Sequence, residues 1–332
     1  MRLVRFSSAA LFFPTLLCLV QAVRAQETPP TQDQGIHISV DRVNIGVIVT
    51  DSRGNFVEGL RREDFHLFDN AAEQSISDFA AIEEPAQVLL LIEAGPAVFL
   101  FEGGHLQAAF SLLHGLSGSD RVAVVKYAES PVALLDFTAD KQAAVAALGQ
   151  LPFNPGFGSL NLSASVSKVL EWLDNAKGKK TIVLLSTGVD TSPMNESSLV
   201  LQRLKISDVR LLAVSLMGSL QNPQPTGKRK SPAANPTQSA REFEGANQLL
   251  KRMAEATGGR AYFPADEKEF STAYAEIAQL VRHEYSLAFA PPARDGAVHF
   301  IRVRVGTPQA PAQLVAPYRI DHRQAYLAPS PR

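Results

Sequence analysis

The sequence predicts an α/β fold: a mainly parallel central sheet flanked by helices, with a small β-rich segment at each end. Three observations carry this. Five apolar runs, "QVLLLIEA", "RVAVVKYA", "PVALLDF", "KTIVLLST" and "VRLLAVSL", are spaced between residues 87 and 216. Runs so uniformly apolar belong to strands covered on both faces, which is the pattern of a parallel sheet between helical layers. Helical segments separate them: "EGGHLQAAFSLLHGL", "ADKQAAVAALGQL", "LNLSASVSKVLEWLDNA" and "ESSLVLQRLKIS". Finally, the flanks on both sides switch to the period-two alternation of half-buried strands.

Composition sets the outer limits. The chain has 332 residues, 45% hydrophobic and 20% charged, with a net charge of -1, enough for about two domains. That near-neutral balance argues against a nucleic-acid binder, which usually shows a strongly basic face. Residues 1–25 read as a signal peptide: Arg2 and Arg5 open it, "SSAALFFPTLLCLV" is its apolar middle, and "VRA" before Gln26 supplies the small-x-small cleavage pattern. The expected location is therefore exported, either periplasmic or secreted. No later run approaches membrane length, so no transmembrane span is expected after signal cleavage. Cys18 is the only cysteine and lies in the signal. A mature chain without it has neither disulfide staples nor thiol catalysis.

Residues 26–35 form a polar leader, and residues 36–84 a β-rich N-terminal module. In that module "IHISVDRVNIGVIVTD" alternates as a strand, Gly54 and Asn55 suit a tight turn, and two or three short strands follow around a helical turn. The α/β domain spans residues 86–283. Its last two helices, "REFEGANQLLKRMAEAT" and "EKEFSTAYAEIAQLVRHE", bracket "GGRAYFPA", where Gly258 and Gly259 make a helix stop. The insert 218–240, with four prolines and almost no apolar content, reads as a flexible loop that buries too little to offset its ordering entropy. Its "GKRK" tract reads as solvated. Residues 284–328 form a C-terminal β segment that is expected to pair with the N-terminal module, since each alone is too small to bury a face. Within it "HFIRVRV" sets Phe300, Val303 and Val305 as the apolar face against Arg302 and Arg304.

Ligands of doubly wound sheets sit at the carboxyl ends of the strands. Three loops fit: 93–97, 156–161 ("GFGSLN") and 186–190 ("STGVD"). The succession "LLLIEAGPA", "GFGSLNLSASV", "TIVLLSTGVDTS" and "MAEATGGRAYF" resembles a von Willebrand factor type A (vWA) domain, a Rossmann-like fold. The flanks "VTDSRGNFVEGLRREDFHLFDN" and "YSLAFAPP…FIRVRV…YRIDHRQAYLA" resemble the VWFA-related acidobacterial family of secreted proteins. The resemblance covers about residues 36–328 and implies a protein-binding role in adhesion or scaffolding, without catalysis.

It also implies a metal-ion-dependent adhesion site, built from Asp-x-Ser-x-Ser, a Thr and a late Asp. Position by position, these fall on Glu93, Gly95, Ala97, Ser159 and Thr187. Two serines are replaced by residues with no side-chain oxygen, the late carboxylate has become a hydroxyl, and the first has gained a methylene. Mg²⁺ demands near-octahedral oxygen ligands at about 2.0–2.1 Å and releases its waters reluctantly. The site is therefore expected to be degenerate, with no metal cofactor; weak Mg²⁺ through a rearranged site, helped by Asp190 or Glu102, is the alternative.

The expected contact is with an unknown protein partner in the cell envelope or outside the cell, through Glu93, Phe99, Phe101, Phe157, Ser159, Thr187 and Asp190. Phenylalanines on a rim loop make the apolar anchor that such contacts favour, and Ser159 is expected to cap the following helix. An extracytoplasmic hydrolase is the second alternative, although the sequence shows no nucleophile–base pair. The seven histidines form neither HExxH nor a close pair.

Overall fold

A computed structural model describes residues 42–82, 85–95, 104–151, 158–217, 236–306 and 318–331. The central sheet has six strands: β5 (Ala86–Glu93), β6 (Arg121–Tyr127), β7 (Pro131–Thr138), β8 (Lys179–Ser186), β9 (Val209–Ser215) and β10 (Ala261–Tyr262). Their spatial order is β10-β9-β8-β5-β6-β7. Taken in chain order within the domain this is 6-5-4-1-2-3, the doubly wound arrangement whose direction of winding reverses beside the first strand. All pairs are parallel except β6–β7. A three-residue link joins β6 to β7, too short for the crossover a parallel pair needs.

Helices cover both faces. They are α1 (Gly104–Gly115), α2 (Lys141–Gly149), α3 (Leu162–Leu173), α4 (Met194–Ile206), α5 (Pro236–Ala256) and α6 (Glu267–Arg282). Alternate residues of each strand serve opposite layers, as the strand period requires. Val88, Leu90 and Ile92 of β5 join Leu112 of α1 and Tyr274 and Ile277 of α6 in one core. Leu89 and Leu91 join Val166 and Leu170 of α3 and Leu250 and Met253 of α5 in the other. Helix α5 begins at Pro236, so the last five residues of the expected flexible insert are helical; a proline at a helix start sacrifices no hydrogen bond. The rest of the insert, including "GKRK", lies outside the described residues. Gly258 ends α5 with φ +68°, a left-handed conformation that glycine adopts without strain.

The remaining strands are β1 (Val43–Thr50), β2 (Phe65–Asp69), β3 (Ala72–Gln74), β4 (Asp78–Ile82), β11 (Glu284–Phe289), β12 (Val298–Val305), β13 (Arg319–His322) and β14 (Ala325–Leu327). They make two four-stranded sheets, β13-β1-β11-β4 and β14-β12-β2-β3. In the first, strands from the two ends of the chain alternate, with β1 between β11 and β13; in the second, the late pair β14-β12 joins the early pair β2-β3 through β12 and β2. One apolar core serves both sheets, built from Ile45, Val47, Leu67, Tyr285, Phe289 and Val303 among others. The expected turn at Gly54 and Asn55 is present, with Gly54 at φ +86° and the Asp51 N–H donating to the Asn55 carbonyl at 2.9 Å.

The face assignment of β12 differs from the expectation at Phe300. His299, Ile301 and Val303 point inward, while Phe300 shares the outer face with Arg302 and Arg304 and is 62% exposed. Phe300 and Val303 differ by an odd number of residues and cannot share a face of a regular strand.

His299 is instead the inward residue, and it is held by carboxylates on both sides. Its Nε2 lies 3.2 Å from Asp295 and its Nδ1 2.8 Å from Asp69. The Tyr326 hydroxyl also donates to Asp69, at 2.6 Å. The Asp295 and Asp69 carboxylates hold the His299 imidazolium above its ordinary value of 6.5, against the desolvation that opposes them. Because the folded-state value is raised, this stabilisation is complete below 6.5 and is lost as pH rises through the raised value. His299→Gln is therefore expected to flatten the fall in urea midpoint across the neutral range. An identical slope in the variant would show that another group is responsible.

Candidate functional site

At the carboxyl end of β5, Glu93 emerges into the crevice where the sheet order reverses, between β6 and β8. Its side chain is fully buried. The Thr187 backbone N–H donates to Oε2 at 2.7 Å, and the Thr187 hydroxyl lies 2.8 Å from Oε2 and 3.0 Å from Oε1. The Ser186 hydroxyl donates to Oε2 at 3.1 Å and the Tyr127 hydroxyl lies 3.2 Å from it. Tyr127 and Ser186 are themselves 2.6 Å apart, and the Gly188 N–H donates to Ser186 at 2.8 Å. Burial raises the Glu93 carboxyl above its ordinary value, while the donors from Thr187, Ser186 and Tyr127 oppose the rise. Burial, reinforced by the neighbouring carboxylate, lifts the Tyr127 phenol far above its own.

A Cβ at Gly95 would meet Leu160 Cδ2 at 2.8 Å and Glu93 Oε1 at 3.4 Å. The Leu160 side chain therefore occupies the space that a side chain at Gly95 would need, near the same point that Glu93 approaches. Leu160 is held in turn: its N–H donates to the Thr191 hydroxyl at 2.8 Å, and its carbonyl accepts from the Thr191 N–H at 2.8 Å. Next to it, the Asn161 N–H donates to the Ala128 carbonyl at 2.8 Å and its side-chain amide to the Glu129 carbonyl at 3.0 Å. The loop before α3 is thus fastened on one side to the end of β6 and on the other to the loop after β8.

Asp190 caps a helix. Its carboxylate accepts the Ser163 N–H at 3.3 Å and the Ser163 hydroxyl, and also the Ser192 N–H at 3.0 Å. It thereby satisfies a donor at the start of α3 and suits the positive end of the helix dipole. The helix begins at Leu162 with Asn161 at its cap position, so Ser159, three residues upstream and exposed, does not cap it as expected. A carboxylate from a facing loop has taken that task.

The sequence-derived residues are thus distributed unevenly. Glu93, Gly95 and Thr187 converge in the closed network, Asp190 lies beside it under α3, and Ser159 stands exposed on the rim. Ala97, Phe99, Phe101, Glu102 and Phe157 lie outside the described residues. Ser186 and Leu160 lie within the loops the sequence singles out but not among its site residues, and Tyr127 lies in none of those loops. The signal for Ser186 was present in "LLST", a hydroxyl at a strand's carboxyl end. Tyr127 at the end of "RVAVVKY" is the corresponding position on the neighbouring strand.

Thr187, Ser186 and Tyr127 surround the Glu93 oxygens with hydrogen-bonding groups, and Gly95 offers no side-chain ligand atom. Among the described residues, no three His, Cys, Asp or Glu side chains are grouped to hold a metal.

No family model and no curated protein matches this chain. Among solved structures it is similar to a von Willebrand factor type A protein from Catenulispora acidiphila, at 13% identity over 82% of this chain and 76% of that one, with TM-score 0.46. It is likewise similar to an aerotolerance-related membrane protein from Bacteroides fragilis carrying multiple mutations to serines, at 13% identity over 60% of this chain and 98% of that one, TM-score 0.44. Manganese-loaded TRAP protein from Plasmodium vivax also shows 13% identity, over 81% of this chain and all of that one, TM-score 0.44. The likeness is to vWA-domain proteins; at this level it says nothing of what this chain binds. The sheet order and crevice of the chain itself define its class, a doubly wound, Rossmann-like α/β domain.

Proposed function

We propose that this chain is an exported, non-enzymatic interaction module of vWA type, and that its loop face recognises a protein partner in the cell envelope or outside the cell without a bridging metal. The observation that supports this most is the Leu160 side chain occupying the space over Gly95 where a side chain at that position would stand. A metal-dependent adhesion site must present an open coordination position to the partner's carboxylate. Here the corresponding space is filled by a leucine side chain, and the remaining carboxylate is bound internally.

What the face offers instead is a rigid rim. Leu160 and Asn161 are pinned to both neighbouring loops, and rigidity reduces the ordering cost of association. Ser159 and Val189 are exposed on it, the latter at 39%. Among the described residues no helix is long and apolar enough to cross a membrane. For a hydrolase, the buried histidine among the described residues is His299, and a carboxylate faces each of its ring nitrogens, which leaves neither free to act as a base.

The test is partner capture from an envelope fraction, with and without chelator. EDTA is expected to leave the captured amount unchanged. A large loss restored by Mg²⁺ would overturn the reading, as would calorimetric Mg²⁺ or Mn²⁺ affinity tighter than millimolar.

A further inference from the structure

A second cavity, of about 300 Å³, lies at the opposite end of the sheet from Glu93, where the amino ends of β8 and β9 meet β1 and β11. Its charged lining comprises Lys179, Lys180, Arg210 and Arg323 against Asp208 and Glu284. Arg210 is satisfied: its guanidinium donates to the Gly258 carbonyl at 2.7 Å, the Gly46 carbonyl at 3.2 Å and Glu284 at 3.2 Å. Lys180 is paired with Asp208 at 2.8 Å. That accounts for both carboxylates.

Two cations are only partly compensated. The Lys179 side chain is only 6% exposed, its Nζ makes no well-aligned hydrogen bond, and its ion-pair partner, at 3.5 Å, is the Glu284 oxygen that Arg210 already uses. The Arg323 guanidinium donates to the Asn44 carbonyl at 2.8 Å, but its Nε is buried without a partner. A buried cation short of partners is costly, and proteins meet that cost with an anion or a shifted protonation state. Burial does push the Lys179 ammonium below its ordinary value, with Glu284 pulling the other way. The surplus of two positive charges matches a phosphate dianion, and a guanidinium beside an ammonium is a recurrent way to bind one. The volume is at the lower end of small-molecule sites and leaves room beyond the charged group. The Asp208 carboxylate, 60% exposed, marks the rim where the cavity meets solvent.

We propose that this cavity is a binding site for a phosphate group, free or carried on a small polar molecule, gripped by Lys179 and Arg323. The site is independent of the loop face, so it stands or falls apart from the interaction reading. Because it is walled by both the α/β domain and the β-rich strands, an anion there would also tie the two together.

Inorganic phosphate and glycerol 3-phosphate, titrated into the intact protein at constant ionic strength, are the probes. Saturable binding is expected with a raised thermal midpoint; tighter binding of glycerol 3-phosphate would assign the site to a phosphomonoester, and equal binding to free phosphate. Lys179→Met and Arg323→Met should each weaken binding about tenfold, as loss of one charge-assisted contact does. Glu284→Gln removes the competing carboxylate and should tighten it severalfold, a result that a merely structural role for these residues does not give. If Lys179→Met does not fold by circular dichroism, Arg323→Met and Glu284→Gln decide. No saturable binding of either probe, or affinity unchanged in the folded variants, would overturn the proposal.

Discussion

Replacing Arg260 with methionine is expected to be among the most damaging single changes in this chain, with a loss of about 3–5 kcal/mol in unfolding free energy. Arg260 is 5% exposed and precedes β10, at the seam between the α/β domain and the β-rich strands. Its guanidinium donates to Asp321 of β13 at 2.8 and 2.5 Å, to Glu276 of α6 at 2.5 Å, and to the Thr50 hydroxyl of β1 at 2.9 Å. The substitution would strand Asp321, itself 10% exposed, as a carboxylate deprived of its main partner. Removing one partner of a buried pair costs far more than replacing both with apolar groups. The double variant Arg260→Met, Asp321→Leu should therefore recover part of the loss. Urea titration of the parent and the two variants checks this; a single variant within about 1 kcal/mol of the parent would show that water screens the network.

Glu93→Ala is the second. It leaves the Thr187 N–H and the Thr187, Ser186 and Tyr127 hydroxyls facing a void, all of them buried. Unsatisfied buried donors cost about 1–3 kcal/mol each before relaxation, so a total of about 3 kcal/mol or more is expected. Glu93→Gln keeps the shape and should cost less, and it isolates the charge. Burial raises the Glu93 carboxyl above 4.5, so the folded protein keeps a proton that the unfolded chain releases. Stability from this group therefore falls as pH rises from 4.5 to the raised value, and Glu93→Gln should remove that slope. Parallel pH profiles for parent and Glu93→Gln would mean that the four donors hold the carboxylate ionised in spite of its burial.

Much of the scaffold can be read from the chain because its signals are local. Five apolar runs became five strands, and four are buried on both faces as an unbroken apolar stretch requires. The exception is β7, from "PVALLDF", an antiparallel edge strand with no buried residue that follows β6 through a turn. Glu93 followed by small residues, and Thr187 after "VLLS", were legible as loop positions for the same reason. Their direct hydrogen bond was not, because 94 residues separate them. Leu160 reads as an ordinary apolar residue beside a Gly-rich loop, and only the crossing of two loops brings it over Gly95. Asp190 reads as a surface acid until α3 is seen to begin beside it. Phe300 shows the opposite failure: the local pattern did decide its face, and counting parity from Val303 places it outside.

The alternation of early and late strands has a consequence for biosynthesis. β1 and β4 are complete when fewer than 90 residues have been made, yet the strand that separates them, β11, begins at residue 284. Until then both expose open edges, the form of chain that most readily joins a neighbouring molecule. Those edges therefore stay open through the synthesis of the whole α/β domain, and pairing in this sheet completes only after residue 284 has been made.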